Sequence, residues 1–161
     1  MRSSITKRLA LIAMIPATLL GLVMVAAPAQ AAVVSTDKLQ GDIVYLTNKQ
    51  RALNGCKALH ADARLTESGR GHSAYMAQTG SFSHTGRGGS DFVYRGKVAH
   101  YPRPLAENIA YGYRTGVEVV KAWMASPGHR ANILNCKATT VGVGAVYAAN
   151  GTPYYTQEFG Y

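Results

Sequence analysis

Three side chains have the types needed for acid/base or metal chemistry and sit in tightly specified surroundings: His84, Glu107 and His129. His84 lies in Ser81-Phe82-Ser83-His84-Thr85-Gly86, and Glu107 lies in Ala106-Glu107-Asn108-Ile109-Ala110. His129 follows Ser126-Pro127-Gly128 directly, on what reads as a turn. Imidazole and carboxylate together either bind a divalent metal or form an acid/base pair. The three residues are far apart in the chain and no H-E-x-x-H pattern occurs, so spacing does not choose between these roles. Plainer roles are open to each: His84 as a turn cap, Glu107 as a terminal or surface charge, His129 as a donor to a nearby carbonyl. A nucleophilic triad ranks lower. Ser83, Thr85 and Ser126 lie close to the histidines, but there is no G-x-S-x-G elbow. His60 and His100 fall in loops, and His72, beside Ser73, reads as a packed helix residue.

The elements that must position these residues follow from periodicity. Ser35-Thr36-Asp37 offers a helix N-cap, and Leu39, Ile43, Leu46, Gln50 and Leu53 recur at helical spacing up to Asn54-Gly55. A second helix is expected with Thr66 as its cap and Gly80 just past its end. Gly69 and Gly71 weaken it in isolation, so packing must hold it, and small residues there let a neighbour approach. Gly80 to Gly116 reads as a long, mostly irregular region with one short helix near Asp91 to Lys97. Thr115-x-x-Glu118 is a capping box for a helix through Val119, Val120 and Trp123, which gives Glu118 a structural task. After Cys136, Val141, Val143, Ala145 and Tyr147 alternate with small residues, Asn150-Gly151 signals a turn, and Pro153 to Phe159 reads as the return strand. Helices first and an antiparallel hairpin last make the class α+β.

Composition adds the setting. Arg2, Lys7 and Arg8, an apolar run from Leu9 to Ala27 and Ala29-Gln30-Ala31 form a secretory signal pattern, with cleavage expected before Ala32. Pro16 and the A-x-A site favour cleavage over a retained anchor, so no membrane span is expected in the mature chain. The organisation is thus 1–31 signal peptide and 32–161 one domain, exported from the cell. Without the three leading basic residues the formal charge falls from +9 to +6. The remaining basic residues, Arg51, Arg70 and Arg95 among them, are scattered and match no nucleic-acid motif; they read as solubility. An even pair of cysteines in a secreted chain points to a Cys56–Cys136 bridge, closing a loop of about 80 residues.

Five motifs occur in order: F-S-H-T-G, A-E-N-I-A, W-M-x-S-P-G-H-R-x-N-I-L, V-G-V-G and Y-Y-T-Q-E-F-G. Together they resemble a bacterial secreted member of the CAP superfamily, across roughly Leu39 to Gly160. The resemblance implies a three-layer α-β-α sandwich with a central antiparallel sheet. It also implies a surface cavity lined by two histidines and two acids. Matched motif by motif, His84 and His129 take the places of the histidines and Glu107 that of one acid. The second acid of the family's W-x-x-E segment is replaced here by Ser126. The expected function is a His84/Glu107/His129 cavity binding a divalent cation, zinc or calcium, or a small polar ligand. The alternatives are an extracellular hydrolase of peptide or cell-wall bonds, a lipid or sterol carrier, or a surface-acting adhesive module. Expected partners are an extracellular ligand, lipid or cell-wall component, with no nucleic acid and a monomeric state.

Overall fold

The computed structural model describes residues 33–161. The expected signal segment and its cleavage position before Ala32 lie outside the described residues. Helix α1 (Thr36–Leu53) starts at Ser35, whose side chain accepts from the Lys38 amide. It buries Leu39, Gln40, Ile43, Thr47 and Arg51. Leu53, expected on the apolar stripe, is exposed, because the stripe rotates onto Thr47 and Arg51 in the last two turns. Helix α2 (Ala63–Thr79) begins earlier than expected. Asp62 caps it by accepting from the Arg64 amide, and Thr66 instead returns its hydroxyl to the Asp62 carbonyl. Gly80 ends it in the left-handed conformation, at φ 71°.

The region from Gly80 to Gly116 is less irregular than its composition suggests. It holds a 3-10 turn (Arg87–Gly89), helix α3 (Phe92–Val98) capped by Asp91, and strand β2 (Pro104–Tyr111). Helix α4 (Gly116–Ala125) carries the expected capping box between Thr115 and Glu118. Pro127 then opens a further helix, α5 (Pro127–Ile133), where a proline lacks no bond it could have made. His129 therefore stands in the first turn of a helix rather than on a turn.

Strands β1 (His60–Ala61), β2, β3 (Thr140–Tyr147) and β4 (Pro153–Gly160) form one sheet in the order β1-β3-β4-β2. The pairs β3/β4 and β2/β4 are antiparallel, and the two-residue β1 runs parallel to β3. The sheet is mixed at that one edge, and otherwise antiparallel as the resemblance implied. Val141, Val143 and Ala145 face a core shared with Leu39, Ile43, Val119, Trp123 and Ile133, from α1, α4 and α5. Each of these large apolar side chains contributes roughly 1.5–3 kcal/mol by burial. The other face of β3 presents Gly142 and Gly144, and α2 lies directly against them. A methyl placed on Gly69 would stand 3.1 Å from the Gly144 amide nitrogen, so Gly69 is the residue that permits this approach. Gly71 meets nothing within 4 Å and has no such task. Helices on both faces of the sheet complete the α-β-α sandwich.

Arg51, assigned to solubility from sequence, is fully buried. It donates to the carbonyls of Lys57, Ile133, Asn135 and Ala138 at 2.8 to 3.0 Å. The Cys56–Cys136 disulfide closes the expected loop beside it, with Cα atoms 5.0 Å apart. Guanidinium and disulfide together tie the end of α1 to the chain that follows α5.

Candidate functional site

The site is built outward from β2. Residues 107 and 109 point toward α2 and α3, while Asn108 and Ala110 point toward α1, α4 and α5, as strand alternation requires. Glu107 is therefore buried on the α2/α3 face, with a side chain 1 % exposed. Its Oε1 accepts from His84 Nδ1 at 2.8 Å, and its Oε2 accepts from Arg95 Nη2 at 2.5 Å. Arg95 comes from α3 and also donates to the carbonyls of His84 and Ser90. The short helix thus neutralises the carboxylate and holds the His84 loop in place. With Nδ1 facing a carboxylate, that nitrogen carries a proton, and Nε2 is the ring nitrogen outside the pair. The His84 side chain is 58 % exposed.

His129 reaches the same region from the opposite layer. Asn108 Nδ2 donates to the His129 carbonyl at 3.2 Å and to Gln157 Oε1 at 3.1 Å. Asn132, one turn along α5, donates to Asn108 Oδ1 and to the Glu107 carbonyl. Gln157 passes the chain on to Thr47 of α1. This buried run of amides sets α5 against β2 and so sets the His129 backbone. The His129 ring makes no hydrogen bond among the described residues. Burial, and then the charge of His84, push its pKa below the ordinary histidine value. The charged form of His129 is accordingly disfavoured, and the ring is within electrostatic reach of His84.

Beside His129 lies a cavity of about 260 Å³ bounded by Phe82, Tyr111, Tyr113 and Trp123, with Ser126 at its edge. The Trp123 indole donates to the Ile109 carbonyl and fixes the floor. The rings of Phe82, Tyr111 and Tyr154 succeed one another at 4.7 and 5.5 Å. Glu118 is held by its capping box and does not supply a second acid. Among the described residues no group of three His, Cys, Asp or Glu side chains is arranged to hold a metal ion. Each oxygen of Glu107 is already hydrogen-bonded, one to His84 and one to Arg95.

Arg95, Asn108, Asn132 and Gln157 were not singled out from sequence. Asn132 had a readable signal, lying three residues after His129 on a helix face. Arg95 had none, since nothing in the chain links a residue of α3 to one of β2. His72 is buried, as its helical setting suggested, and its Nε2 faces the Ser83 carbonyl at 2.9 Å.

Comparison with known proteins agrees with this architecture. The cysteine-rich secretory protein family, CAP, matches residues 44–159, and the chain belongs to that family. The uncharacterized protein YkwD of Bacillus subtilis (strain 168) is 40 % identical over 126 residues, covering 78 % of this chain and 48 % of that protein. The uncharacterized membrane protein YlbC of the same strain is 36 % identical over 118 residues, covering 73 % and 33 %. The chain thus spans about half of the first relative's length and a third of the second's. A crystal structure of an extracellular protein containing a SCP domain from Bacillus anthracis superposes with a TM-score of 0.71 at 30 % identity, over 78 % of this chain and 41 % of that one. An outer surface protein of Borrelia burgdorferi gives 0.68 at 19 % identity, over 73 % and 88 %, which speaks to the fold alone. Among the described residues no helix is long and apolar enough to cross a membrane.

Proposed function

We propose that His84 and His129, which lie within electrostatic reach of each other, bind a divalent cation of the zinc class through their two imidazoles. Glu107 acts on His84 and not on the ion. The observation that carries this reading is the engagement of Glu107 by His84 and Arg95, which leaves an oriented imidazole at the surface. A histidine whose second nitrogen is held by a carboxylate is the usual form of a metal-ligating histidine. The ring of His129, whose charged form burial disfavours, is a second imidazole donor, though no hydrogen bond orients it among the described residues. Imidazole donors favour zinc over calcium, which prefers oxygen. A bound cation would supply Lewis acidity to an oxygen ligand taken into the aromatic cavity beside His129. We further propose that this chemistry is extracellular, as the disulfide and the signal pattern suggest.

The test is calorimetric titration of zinc into the chelator-treated protein and into the His84→Ala/His129→Ala variant. One-site saturable binding that the variant lacks supports the reading. Indistinguishable isotherms overturn it, and the reading is then a site for a small polar organic ligand.

A further inference from the structure

His84 sits on a loop, yet its backbone is held on both sides. His72 projects from α2 and is buried, and its Nε2 lies 2.9 Å from the Ser83 carbonyl oxygen. Arg95 projects from α3, and its Nη1 donates to the His84 carbonyl at 3.2 Å. These carbonyls belong to the two peptide groups that flank the His84 Cα. Each peptide group is planar, so holding both planes fixes φ and ψ of His84 together. Glu107 then holds the ring at Nδ1. Two helices thus set the backbone of His84, and the sheet sets its imidazole.

The rest of the loop closes against the same two side chains. The Thr85 amide donates to Ser83 Oγ at 3.0 Å, and the Gly86 amide donates to the Ser90 carbonyl at 2.7 Å. Gly86 is buried. A methyl placed on it would stand 2.9 Å from Arg95 Nη1 and 3.1 Å from His72 Nδ1, so the loop rests directly on both residues.

The tautomer of His72 follows from its partner. A carbonyl oxygen only accepts, so Nε2 carries a proton. Nδ1 is buried and has no partner among the described residues. An unpartnered buried nitrogen costs free energy that a phenylalanine or leucine in this place would not incur. Among the described residues, the hydrogen bond to Ser83 is what a histidine offers here that an apolar side chain does not. That bond serves the loop and not α2.

We propose that His72 is a positioning residue for the His84 site. Its Nε2–H fixes the Ser83 carbonyl, and through that peptide the direction in which the His84 imidazole leaves the loop. This rests on the reading of His84 as a functional imidazole, but not on which ligand the ring meets.

The test is ring-nitrogen NMR on the chelator-treated protein, in which correlations from the ring C–H protons report which nitrogen is protonated. In the unaltered protein His72 should be protonated at Nε2 and His84 at Nδ1. His72→Gln, whose amide can donate at nearly the same place, should leave the His84 pattern unchanged. His72→Phe and His72→Leu fill the space but donate nothing, and should give His84 a share of the tautomer protonated at Nε2. Amide dispersion outside residues 81–90 shows that the fold stands. Zinc should bind the unaltered protein and His72→Gln alike, and the two donor-free variants about tenfold more weakly. A His72 protonated only at Nδ1 in the unaltered protein overturns the proposal whatever the variants do. So does an unchanged His84 pattern in a folded donor-free variant. If zinc binds none of the four proteins, the metal reading falls, and the ring-nitrogen patterns still decide the role of His72.

Discussion

Glu107 and Glu158 stand directly opposite each other on β2 and β4, two buried carboxyl groups on one face of the sheet. They are provided for differently. Glu107 has His84 and Arg95, while among the described residues Glu158 has only the Ser68 hydroxyl, donating to Oε1 at 2.8 Å. Burial raises the Glu158 pKa to about 8; the Ser68 bond opposes this and the charge of Glu107 adds to it. Two ionised carboxylates at one cross-strand position would repel, so the pair shares its charge unequally.

This predicts a pH dependence of stability. The folded protein holds the Glu158 proton more tightly than the unfolded chain, whose carboxyl titrates near the ordinary 4.5. The contribution is complete below about pH 4.5 and is lost as pH rises through about 8. The loss is on the order of a few kcal/mol. Glu158→Gln, which keeps an acceptor for Ser68, should flatten the fall in melting temperature between these values. A slope equal to that of the unaltered protein would show that Glu158 is ionised throughout.

Removing one partner of the Glu107–Arg95 pair should be costly. Glu107→Ala leaves a nearly buried guanidinium without its anion, and should destabilise by about 3–5 kcal/mol. Glu107→Gln/Arg95→Gln, which removes both charges, should recover part of that loss. Urea denaturation measures both. A double variant less stable than the single one would mean that the pair's Coulombic energy exceeds its desolvation.

Arg51 should behave as a core residue. Arg51→Met leaves four carbonyls that lose their shared donor, each worth about 1–3 kcal/mol if it stays buried and unpaired. The expected loss in urea denaturation is at least about 3 kcal/mol. Arg51→Lys should recover little, since an ammonium cannot span four acceptors with the planar fork of arginine. A loss below about 1 kcal/mol for Arg51→Met would make the four bonds incidental.

The glycines of the α2–sheet contact should separate by position. Gly144→Ala forces a methyl into the backbone of α2 at Gly69 and Arg70, and should cost about 1–3 kcal/mol or more. Gly41→Ala, in α1 with nothing within 4 Å, should stabilise by about 0.5–1 kcal/mol. Melting temperatures that move in the same direction for both would contradict this account of the packing.

Local rules carried much of the chain. The capping box at Thr115 and Glu118, the stop at Gly80, the hairpin around Asn150-Gly151 and the apolar spacing of α1 depend on contacts within a few residues, which sequence displays. The five motifs placed His84, Glu107 and His129 in one family pattern, and residues 44–159 belong to that family. Elsewhere short-range signals misled. Pro127 read as the end of a helix because proline stops one, but it also starts one. Strand β2 was hidden because its buried positions include Glu107 and Asn108, which break the apolar alternation that marks a strand.

By itself the sequence determined the class, the disulfide partners and the three residues on which chemistry could rest. Only the tertiary structure decided how those residues are held. Glu107 is held by an arginine from α3, His129 is set by amides from β2, β4 and α5, and Arg51 gathers carbonyls from both sides of the disulfide. These partners are separated by up to 87 positions in the chain and share no periodicity. What brings them together is burial, which demands a partner for every polar group removed from water and does not encode that partner nearby.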